Sequence, residues 1–383
     1  MKKLIYLDHA ATTACDQKAM EAMLPWFSEQ YGNPSTMYHI GASAQSAVRH
    51  AKEQIAATIG CSYEEIFFTC GGTESDNWAI KGIAQAYRDK GKHIITTKIE
   101  HPAVLNTCKW LAELGYEITY LDVDREGFVS LQEVERAIRP DTILISIMYA
   151  NNEIGTIEQV HEIGEIAHCH GVLFHTDAVQ AYAQIPVSVQ ENHIDLLSAS
   201  GHKFYGPKGT GFLYVRKGIQ ICQFMHGGQQ ERGRRAGTEN VPGIVGMGMA
   251  AEIAADTLSI RMDAERKLQK YLVHNIMNKI SGVTWNGPEP GSRNRLPGNI
   301  NLSFTGMPAE TVMIMLDMQR ICVSAGSACA SGSVDPSHVL MAIGCSEQEA
   351  ECSLRLSLGK ENTADEMDCV VKTLREAADR IRN

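Results

Sequence analysis

The sequence predicts an α/β protein with a mostly parallel central sheet, helices on both faces of that sheet, and a smaller α+β domain. Short apolar, β-branched runs recur through the first 215 residues, and stretches of helical period lie between them. The spacing leaves room for the crossover helices that parallel strands need. Near residue 250 the pattern changes to a long helical stretch followed by short alternating elements. We therefore expect a large domain of residues 15–250 and a small domain of residues 1–14 and 251–383.

The individual elements follow from these patterns in chain order. Strands are predicted over residues 93–101, 117–123, 142–150, 172–177, 196–199 and 211–215. Helices are predicted over residues 102–114, 156–168, 250–277 and 364–381, and a Pro- and Gly-containing loop over 288–295. Ligands of such sheets bind beyond the carboxyl ends of the strands, so the residues just after each strand are the candidates for function.

The composition excludes several classes of protein. Among 383 residues, 44 % are hydrophobic and 21 % charged, which is typical of a folded globular chain. A net charge of −10 argues against a main role in binding nucleic acid or an anionic membrane surface. The apolar stretch 243–258 is interrupted by Glu252 and is too short for a membrane span. Eleven cysteines without a Cys-x-x-Cys pair indicate reduced thiols, and we expect a cytoplasmic protein without direct membrane binding.

Polar side chains follow several of the predicted strands. His101, Asn152, Asp177 and Lys203 each stand at or just beyond a strand end. Taken singly, His101 before a proline is more often a capping residue and Asn152 a turn former. Because the carboxyl ends of parallel strands meet at one edge of a sheet, the repeated pattern favours a shared site.

Asp177 and Lys203 are the residue types that pyridoxal 5'-phosphate (PLP) requires. A carboxylate can keep the ring nitrogen of PLP protonated, and a lysine can bind its aldehyde. The alternative for Asp177 is to cap a helix that follows it, and the rival amine is Lys208 in the glycine-rich segment 204–211. Ser200 and His202 lie close to Lys203 in the sequence and could bind the phosphate group of PLP.

A glycine-containing turn could complete the phosphate site. Gly72 and Thr73 open a predicted helix, whose backbone N–H groups and dipole could hold an anion. Taken alone, this pair is equally well explained as a plain tight turn with a threonine cap.

Eight ordered motifs together resemble the PLP-dependent cysteine desulfurases of group I, the NifS/IscS-like enzymes. The motifs are YLDHAATT at 6–13, GNPS at 32–35, GTES at 72–75, EHP at 100–102, NNE at 151–153, HTDAVQ at 175–180, SGHK at 200–203 and RAGTEN at 235–240. The resemblance extends from about residue 6 to residue 374. It implies the fold type I of PLP-dependent aminotransferases, class V.

The resemblance also implies roles for individual residues around the cofactor. Lys203 would bind the cofactor, His101 would stack on its ring, and Asp177 would pair with the ring nitrogen. Asn152 and Gln180 would contact the cofactor as well.

Further roles concern the phosphate, the partner subunit and the substrate. The phosphate would be held by Gly72, Thr73, Ser200 and His202. Thr238 would reach the phosphate of the neighbouring protomer, which implies a homodimer. Arg355 would bind the carboxylate of the substrate L-cysteine beside Asn152, because its planar guanidinium suits two parallel hydrogen bonds.

Cys329 is the predicted catalytic nucleophile, in a segment of about residues 324–335. The surrounding residues are small, as suits a thiolate that must approach a substrate sulfur and then leave as a persulfide. L-Cysteine would become L-alanine, and the sulfur would pass to an iron–sulfur scaffold or a tRNA-thiolating enzyme. No intrinsic metal is expected, although the Cys329 persulfide could transiently ligate a cluster on a scaffold.

Two departures from the family pattern leave the acceptor open. Ala325 and Ala330 stand where many relatives have Ser or Thr. The sequence stops at Asn383, directly after the last predicted helix, whereas relatives of the iron–sulfur assembly type carry a further tail.

Three alternative functions remain on sequence grounds. A PLP-dependent aminotransferase or a selenocysteine lyase would share the fold. The aminotransferase would not need Cys329, and the lyase is harder to exclude because selenium is the better leaving atom. A metal- or cluster-binding protein is suggested by His168-Cys169-His170.

Overall fold

A seven-stranded sheet forms the centre of the larger part of the protein in a computed structural model, which describes residues 3–325 and 336–382. The strand order is β2-β8-β7-β6-β5-β3-β4. The five strands from β7 to β4 are parallel, and β8 runs antiparallel to both of its neighbours. The strands are β2 (Ile66–Thr69), β3 (His93–Thr97), β4 (Glu117–Leu121), β5 (Thr142–Ser146), β6 (Leu173–Asp177), β7 (Leu196–Ser200) and β8 (Gly211–Val215).

Helices cover both faces of this sheet, each through its own buried apolar cluster. One cluster joins the sheet to α3, α7 and the first part of α9. The other joins it to α4 and α5. The helices of this part are α1 (Gln17–Met23), α2 (Pro25–Ser28), α3 (His39–Ile59), α4 (Gly72–Ala86), α5 (Pro102–Glu113), α6 (Leu131–Ala137), α7 (Val160–Cys169), α8 (Gln230–Gly233) and α9 (Val241–Lys279). The predicted α/β class with helices on both faces is confirmed.

A second, smaller sheet lies in the C-terminal part of the chain. Its strands are antiparallel in the order β12-β13-β10-β9, and a separate parallel pair joins β1 to β11. Its buried apolar cluster includes residues of α9, α10 and α13 together with Ile5 and Leu7 from the chain start. The elements are β1 (Ile5–Tyr6), β9 (Val283–Trp285), β10 (Asn299–Phe304), α10 (Ala309–Asp317), β11 (Ile321–Cys322), β12 (Ser324–Ala325), α11 (His338–Ala342), α12 (Glu347–Glu351), β13 (Ser353–Ser357) and α13 (Ala364–Arg382).

Helix α9 begins nine residues before the predicted start at residue 250. The side chain of Asn240 accepts a hydrogen bond from the N–H of Gly243 and so caps the helix, and Pro242 lies in the first turn. Glycines in this first part weaken the helical signal in the sequence. They are needed for packing, because a Cβ at Gly248 would lie 2.8 Å from the Cα of Ala51 on α3.

Helix α9 also has the length and the apolar character of a membrane-spanning helix. Among the described residues it is the one helix that is long and apolar enough to cross a membrane. Its most apolar 18 residues have a mean hydropathy of 1.3, and 44 % of that window is buried inside the protein. Its buried side chains contribute to both the large and the small apolar clusters. The apolar side chains of α9 are therefore explained by its packing in the protein core.

Candidate active site

A cavity of about 260 Å³ lies beyond the carboxyl ends of the parallel strands. Every predicted cofactor-binding residue except Thr238 lines it: Gly72, Thr73, His101, Asn152, Asp177, Gln180, Ser200, His202 and Lys203. Thr238 is exposed and is not part of this cavity wall. The sequence motifs therefore converge in space within a single chain, apart from the residue assigned to the neighbouring protomer.

Lys203 is the amine that faces the cavity. It follows β7, and its Nζ donates hydrogen bonds to the carbonyl oxygens of Ala10 at 2.6 Å and Ala11 at 2.8 Å. The rival Lys208 is exposed and does not line the cavity.

Asp177 ends β6 and is only 5 % exposed. One of its oxygens, Oδ1, accepts a hydrogen bond of 2.9 Å from the N–H of Val179. This caps a turn and not a helix, because the described residues between β6 and β7 form no helix, so the helix-cap alternative is wrong. Burial raises the pKa of Asp177, while His101, that N–H and Lys203 act in the opposite direction. A cationic ring nitrogen in the cavity would complete the stabilisation of this buried carboxylate.

His101 is both a helix cap and a wall of the cavity. It precedes α5, and its Nδ1 accepts a hydrogen bond of 3.1 Å from the N–H of Ala103. In the neutral imidazole the proton therefore lies on Nε2. Burial lowers the pKa of His101, with the charge on Lys203 as a smaller contribution in the same direction, while Asp177 opposes it.

The N-terminus of α4 suits the phosphate of PLP. It has no side-chain cap, and Gly72 and Thr73 in its first turn line the cavity together with Ser200. Gly72 cannot be replaced without movement, because a Cβ there would lie 2.5 Å from Cγ2 of Val179. Open N–H groups, the helix dipole and a side-chain hydroxyl are the donors that a phosphate prefers. The residues present therefore fit PLP at both its phosphate and its ring.

Arg355 lies on β13 with its side chain almost completely buried. Its Nη2 donates to Oδ1 of Asp8 at 2.9 Å, and its Nη1 donates to the carbonyl oxygen of Asn152 at 3.3 Å. Its Nε is buried and has no hydrogen-bond partner among the described residues. Asp8 and the Asn152 carbonyl oxygen hold the other two nitrogens, so a bound carboxylate would take the place of one of these partners on the guanidinium.

Residues 6–13, which we call the N-terminal strap, connect the two basic residues of the site. The strap binds Arg355 through Asp8 and Lys203 through Ala10 and Ala11. Thr12 Oγ1 lies 3.1 Å from Nδ1 of His202, whose pKa is lowered to about 4 by burial and by the charges of Lys203 and Lys208. The sequence singled out this motif but gave its residues no role.

Cys329 lies outside the described residues, but the described residues before and after its segment contact the site. Ser324 pairs with Arg355 where β12 meets β13. On the other side, Ser337 Oγ donates a hydrogen bond of 2.5 Å to Glu153 Oε2. The described residues on the two sides of this segment therefore lie beside Arg355 and beside Glu153.

The His168-Cys169-His170 segment takes part in packing and local hydrogen bonding. His168 stacks on the ring of His193 at a centroid distance of 5.3 Å, and Nδ1 of His170 lies 2.9 Å from the carbonyl oxygen of Ile166. In the described ranges, the cluster with metal-ligating geometry is instead Asp76, His101 and Asp177. Asp76 was missed by sequence reasoning, and its only sequence signal is its position one helical turn after Thr73.

The whole chain is similar to known proteins. The family model described as "Aminotransferase class-V" matches residues 5–370. The chain is 50 % identical over 374 residues to the cysteine desulfurase IscS of Clostridium botulinum, covering 98 % of this chain and 94 % of that protein. A solved NifS-like protein superposes with a TM-score of 0.92 at 39 % identity, covering 99 % of this chain and all of the other.

A further solved structure has a ligand that bears on the substrate. It is described as SspA in complex with cysteine, and it matches with a TM-score of 0.82 and 39 % identity over 94 % of this chain and all of that chain. Identity at this level over nearly full length shows common descent, and the predicted resemblance is confirmed. The chain belongs to the class-V aminotransferase family, among its cysteine desulfurases.

Proposed function

We propose that this desulfurase binds PLP at Lys203 and transfers the sulfur of L-cysteine to Cys329, with release of L-alanine. The observation that carries the proposal is the convergence of Lys203, Asp177 and the α4 N-terminus on one cavity. Arg355, whose Nη1 binds the carbonyl oxygen of the cavity residue Asn152, supports binding of an amino acid carboxylate at the adjoining side.

Each residue contributes a defined interaction. PLP, when bound, supplies an electron sink for charge that develops at the Cα of an amino acid. Asp177 holds the ring nitrogen in its protonated form, and Lys203 is placed to bind the aldehyde and, once released, to move a proton. His101 lines the cavity, where it would stack on the cofactor ring, and its Nδ1 is held by the N–H of Ala103.

The sulfur transfer balances without any outside oxidant. The Cys329 thiolate attacks the Sγ of L-cysteine, the Cβ–Sγ bond breaks, and the electron pair of that bond remains on the substrate carbon. Protonation of this carbon gives L-alanine, and Cys329 keeps the sulfur as a persulfide. Passing the sulfur onward is a thiol exchange with an acceptor thiolate.

The active form is proposed to be a homodimer in which Thr238 completes the neighbour's phosphate site. Thr238 is exposed, and the adjacent Arg235 fastens its segment to α4 through two hydrogen bonds to Glu74, at 2.8 and 3.1 Å. The surface of the chain also exposes apolar side chains such as Phe27 and Met37, which are 62 % and 95 % exposed. An exposed apolar surface of this kind suits a protein contact.

Acceptor, compartment and domain division belong to the same proposal. The acceptor is an iron–sulfur scaffold or a tRNA-thiolating enzyme, since either presents a thiol or cluster site to a persulfide.

The cysteines in the described part of the chain are free thiols, which suits the reducing cytoplasm. Residues 15–250 would form the large domain, and residues 1–14 and 251–383 the small domain that carries the catalytic cysteine.

A Cys329→Ser variant tests the proposal most directly. It should keep the bound cofactor and still show a spectral change with L-cysteine, because Lys203 and Arg355 are intact. Sulfide release should fall at least about 1000-fold, because the nucleophile is gone. Mass spectrometry of the wild-type protein should find the persulfide on the peptide that contains residue 329.

A matched cysteine control makes the result specific. Cys169→Ser changes an exposed thiol on α7, away from the cavity, and should retain at least about half of the activity. Near wild-type sulfide production by Cys329→Ser would refute the proposed transfer and favour direct elimination of the substrate sulfur.

A further inference from the structure

A second carboxyl group lies beside Asp177 in the cofactor cavity. Asp76 lines the cavity wall from α4 and is 1 % exposed. An oxygen of Asp76, an oxygen of Asp177 and a ring nitrogen of His101 lie within 4.8 Å of one another. The reaction proposed above gives Asp76 no role. Burying an unpaired carboxyl group costs folding free energy, so its presence here calls for an explanation.

The two carboxyl groups differ in their partners. Within the described ranges, Asp76 Oδ1 is buried without a hydrogen-bond partner, and it lies 3.7 Å from Nε2 of His175. His175 is fully buried between the hydroxyls of Ser146 at 2.9 Å and Ser198 at 3.0 Å. Burial lowers the pKa of His175 to about 3, so this imidazole is neutral and offers Asp76 no positive charge.

Asp177 has the partners that stabilise an anion. It accepts the Val179 N–H, and the pKa of its carboxyl is pulled down by His101 and by Lys203 against the effect of burial. Two carboxylates this close in a buried place do not both ionise readily, so one of them keeps a proton. The partners decide that this one is Asp76.

The other titratable groups around Asp76 act in the same direction. Burial and the charge on Asp177 raise the pKa of Asp76 well above its usual range, although a hydrogen bond with the Ser198 side chain opposes this, and Glu100, which follows β3, adds a smaller upward effect. His101, on the same segment, pairs electrostatically with Asp177. Because burial raises the pKa of Glu100 to about 8, Glu100 is mostly neutral at pH 7. The negative charge that faces Asp76 is therefore that of Asp177, and His175 beside it is neutral.

We propose that Asp76 is a positioning residue whose protonated carboxyl group keeps the Asp76–Asp177 pair at one negative charge. A neutral polar group beside Asp177 supports the buried anion without competing for the positive ring nitrogen. Asp177 then carries the single charge that faces the ring. The inference rests on the proposed function, because it concerns how Asp177 is prepared for PLP.

Two substitutions of similar volume separate the polarity of Asp76 from its charge. Asp76→Asn keeps a neutral polar group, and Asp76→Leu keeps only the volume. The dissociation constant of PLP, measured by absorbance titration at pH 7, should stay within about threefold of wild type for the Asn variant. It should rise at least about tenfold for the Leu variant, because a polar group supporting a buried charge is lost.

An infrared measurement reports the proton itself. On the holoenzyme at pH 7, the C=O stretching band of protonated carboxyl groups should lose intensity in Asp76→Asn relative to wild type. Glu158→Gln is the matched control: it removes another buried acid, whose pKa is raised to about 8 by burial, outside the cavity wall. This control should lose similar intensity and leave PLP affinity unchanged.

The remaining outcomes overturn the inference. An Asn variant that loses PLP as strongly as the Leu variant, with no change in the infrared band, means that Asp76 is ionised. A Leu variant with wild-type affinity means that the polar group has no positioning role. Failure of the wild-type protein to bind PLP at all would instead contradict the proposed function, while the infrared comparison on the protein as purified would still report on the proton of Asp76.

Discussion

The cofactor side and the substrate side of the site are built in different ways. On the cofactor side, Asp177 and Lys203 end or follow adjacent parallel strands, so the sheet itself brings them together. On the substrate side, Arg355 lies in the middle of β13 in the smaller sheet and is held by Asp8 and by the Asn152 carbonyl. One side depends on sheet topology, and the other depends on contacts between distant segments of the chain.

This difference indicates which kinetic or binding property a substitution on each side of the site should change. A strand end fixes its side chain through the ladder of backbone hydrogen bonds, so loss of the side chain removes chemistry but leaves its neighbours in place. The guanidinium of Arg355 is fixed by side-chain and loop partners, so its neighbours can tune how it binds a carboxylate. Substitutions on the cofactor side should therefore act on cofactor binding and on kcat, and those on the substrate side on KM.

The largest effect is expected from Lys203→Ala. Activity should fall at least about 1000-fold, because the amine that binds the aldehyde and moves the proton is removed. Borohydride treatment should label the peptide containing residue 203 in wild type and leave the variant unlabelled. Lys208→Ala, a neighbouring exposed lysine, should keep near wild-type activity, and a label on Lys208 would contradict the assignment.

Asp177→Asn should have the next largest effect. The amide cannot hold the ring nitrogen in its protonated form, and a charge-assisted hydrogen bond is lost, so we expect PLP affinity to fall about 100-fold. Equilibrium dialysis at pH 7 measures this loss directly. Retention of wild-type affinity would show that the cavity holds the cofactor through its phosphate alone.

Arg355→Lys tests the substrate side. Lysine keeps the charge but loses the planar fork, so the KM for L-cysteine should rise about 10- to 50-fold with a much smaller change in kcat. Arg139→Lys is a matched control, because Arg139 binds Asp141 through two hydrogen bonds of 3.0 Å on the exposed surface. A fall in kcat at constant KM would place Arg355 on the cofactor side of the comparison.

The smallest effect concerns pH and Glu153. Burial raises the pKa of Glu153 to about 7, against the opposing effects of the Ser337 hydroxyl and the charge of Arg355. Below that pH the carboxyl is neutral, and above it a negative charge appears near Arg355 and weakens the attraction for a substrate carboxylate. The KM of the wild type should therefore rise about two- to fivefold more between pH 6 and 8 than that of Glu153→Gln.

The same variant pair controls for the titration of the substrate itself. L-Cysteine titrates identically in both assays, so only the difference between the two KM profiles reports on Glu153. Parallel profiles would show that Glu153 stays neutral or is too well screened from Arg355 to matter.

Sequence reasoning was strong where local patterns determine structure. The strands β3 to β8 lie within or almost within their predicted ranges, because buried parallel strands are short, β-branched and evenly spaced. The assignment of Lys203 over Lys208 followed from the same logic, since a residue at a strand end reaches the cavity and one in the next turn does not.

Sequence reasoning was weak where a residue depends on a distant partner. The hydrogen bond between Asp8 and Arg355 joins residues 347 positions apart, and no local sequence pattern predicts it. Asp76 was missed because on a helix it is one of several buried positions, and only the three-dimensional packing brings it beside Asp177. The early start of α9 was hidden by glycines that are there for close helix packing.

The N-terminal strap has a consequence for how the protein is made. At synthesis rates of about 5–20 residues per second, Asp8 is made about 20–70 s before Arg355, because 347 residues separate them. Lys203 is made well before Arg355, so the cofactor side of the cavity can form earlier during synthesis than the substrate side. The strap must meanwhile remain available until its last partner emerges, which makes the completed substrate side a late product of biosynthesis and folding.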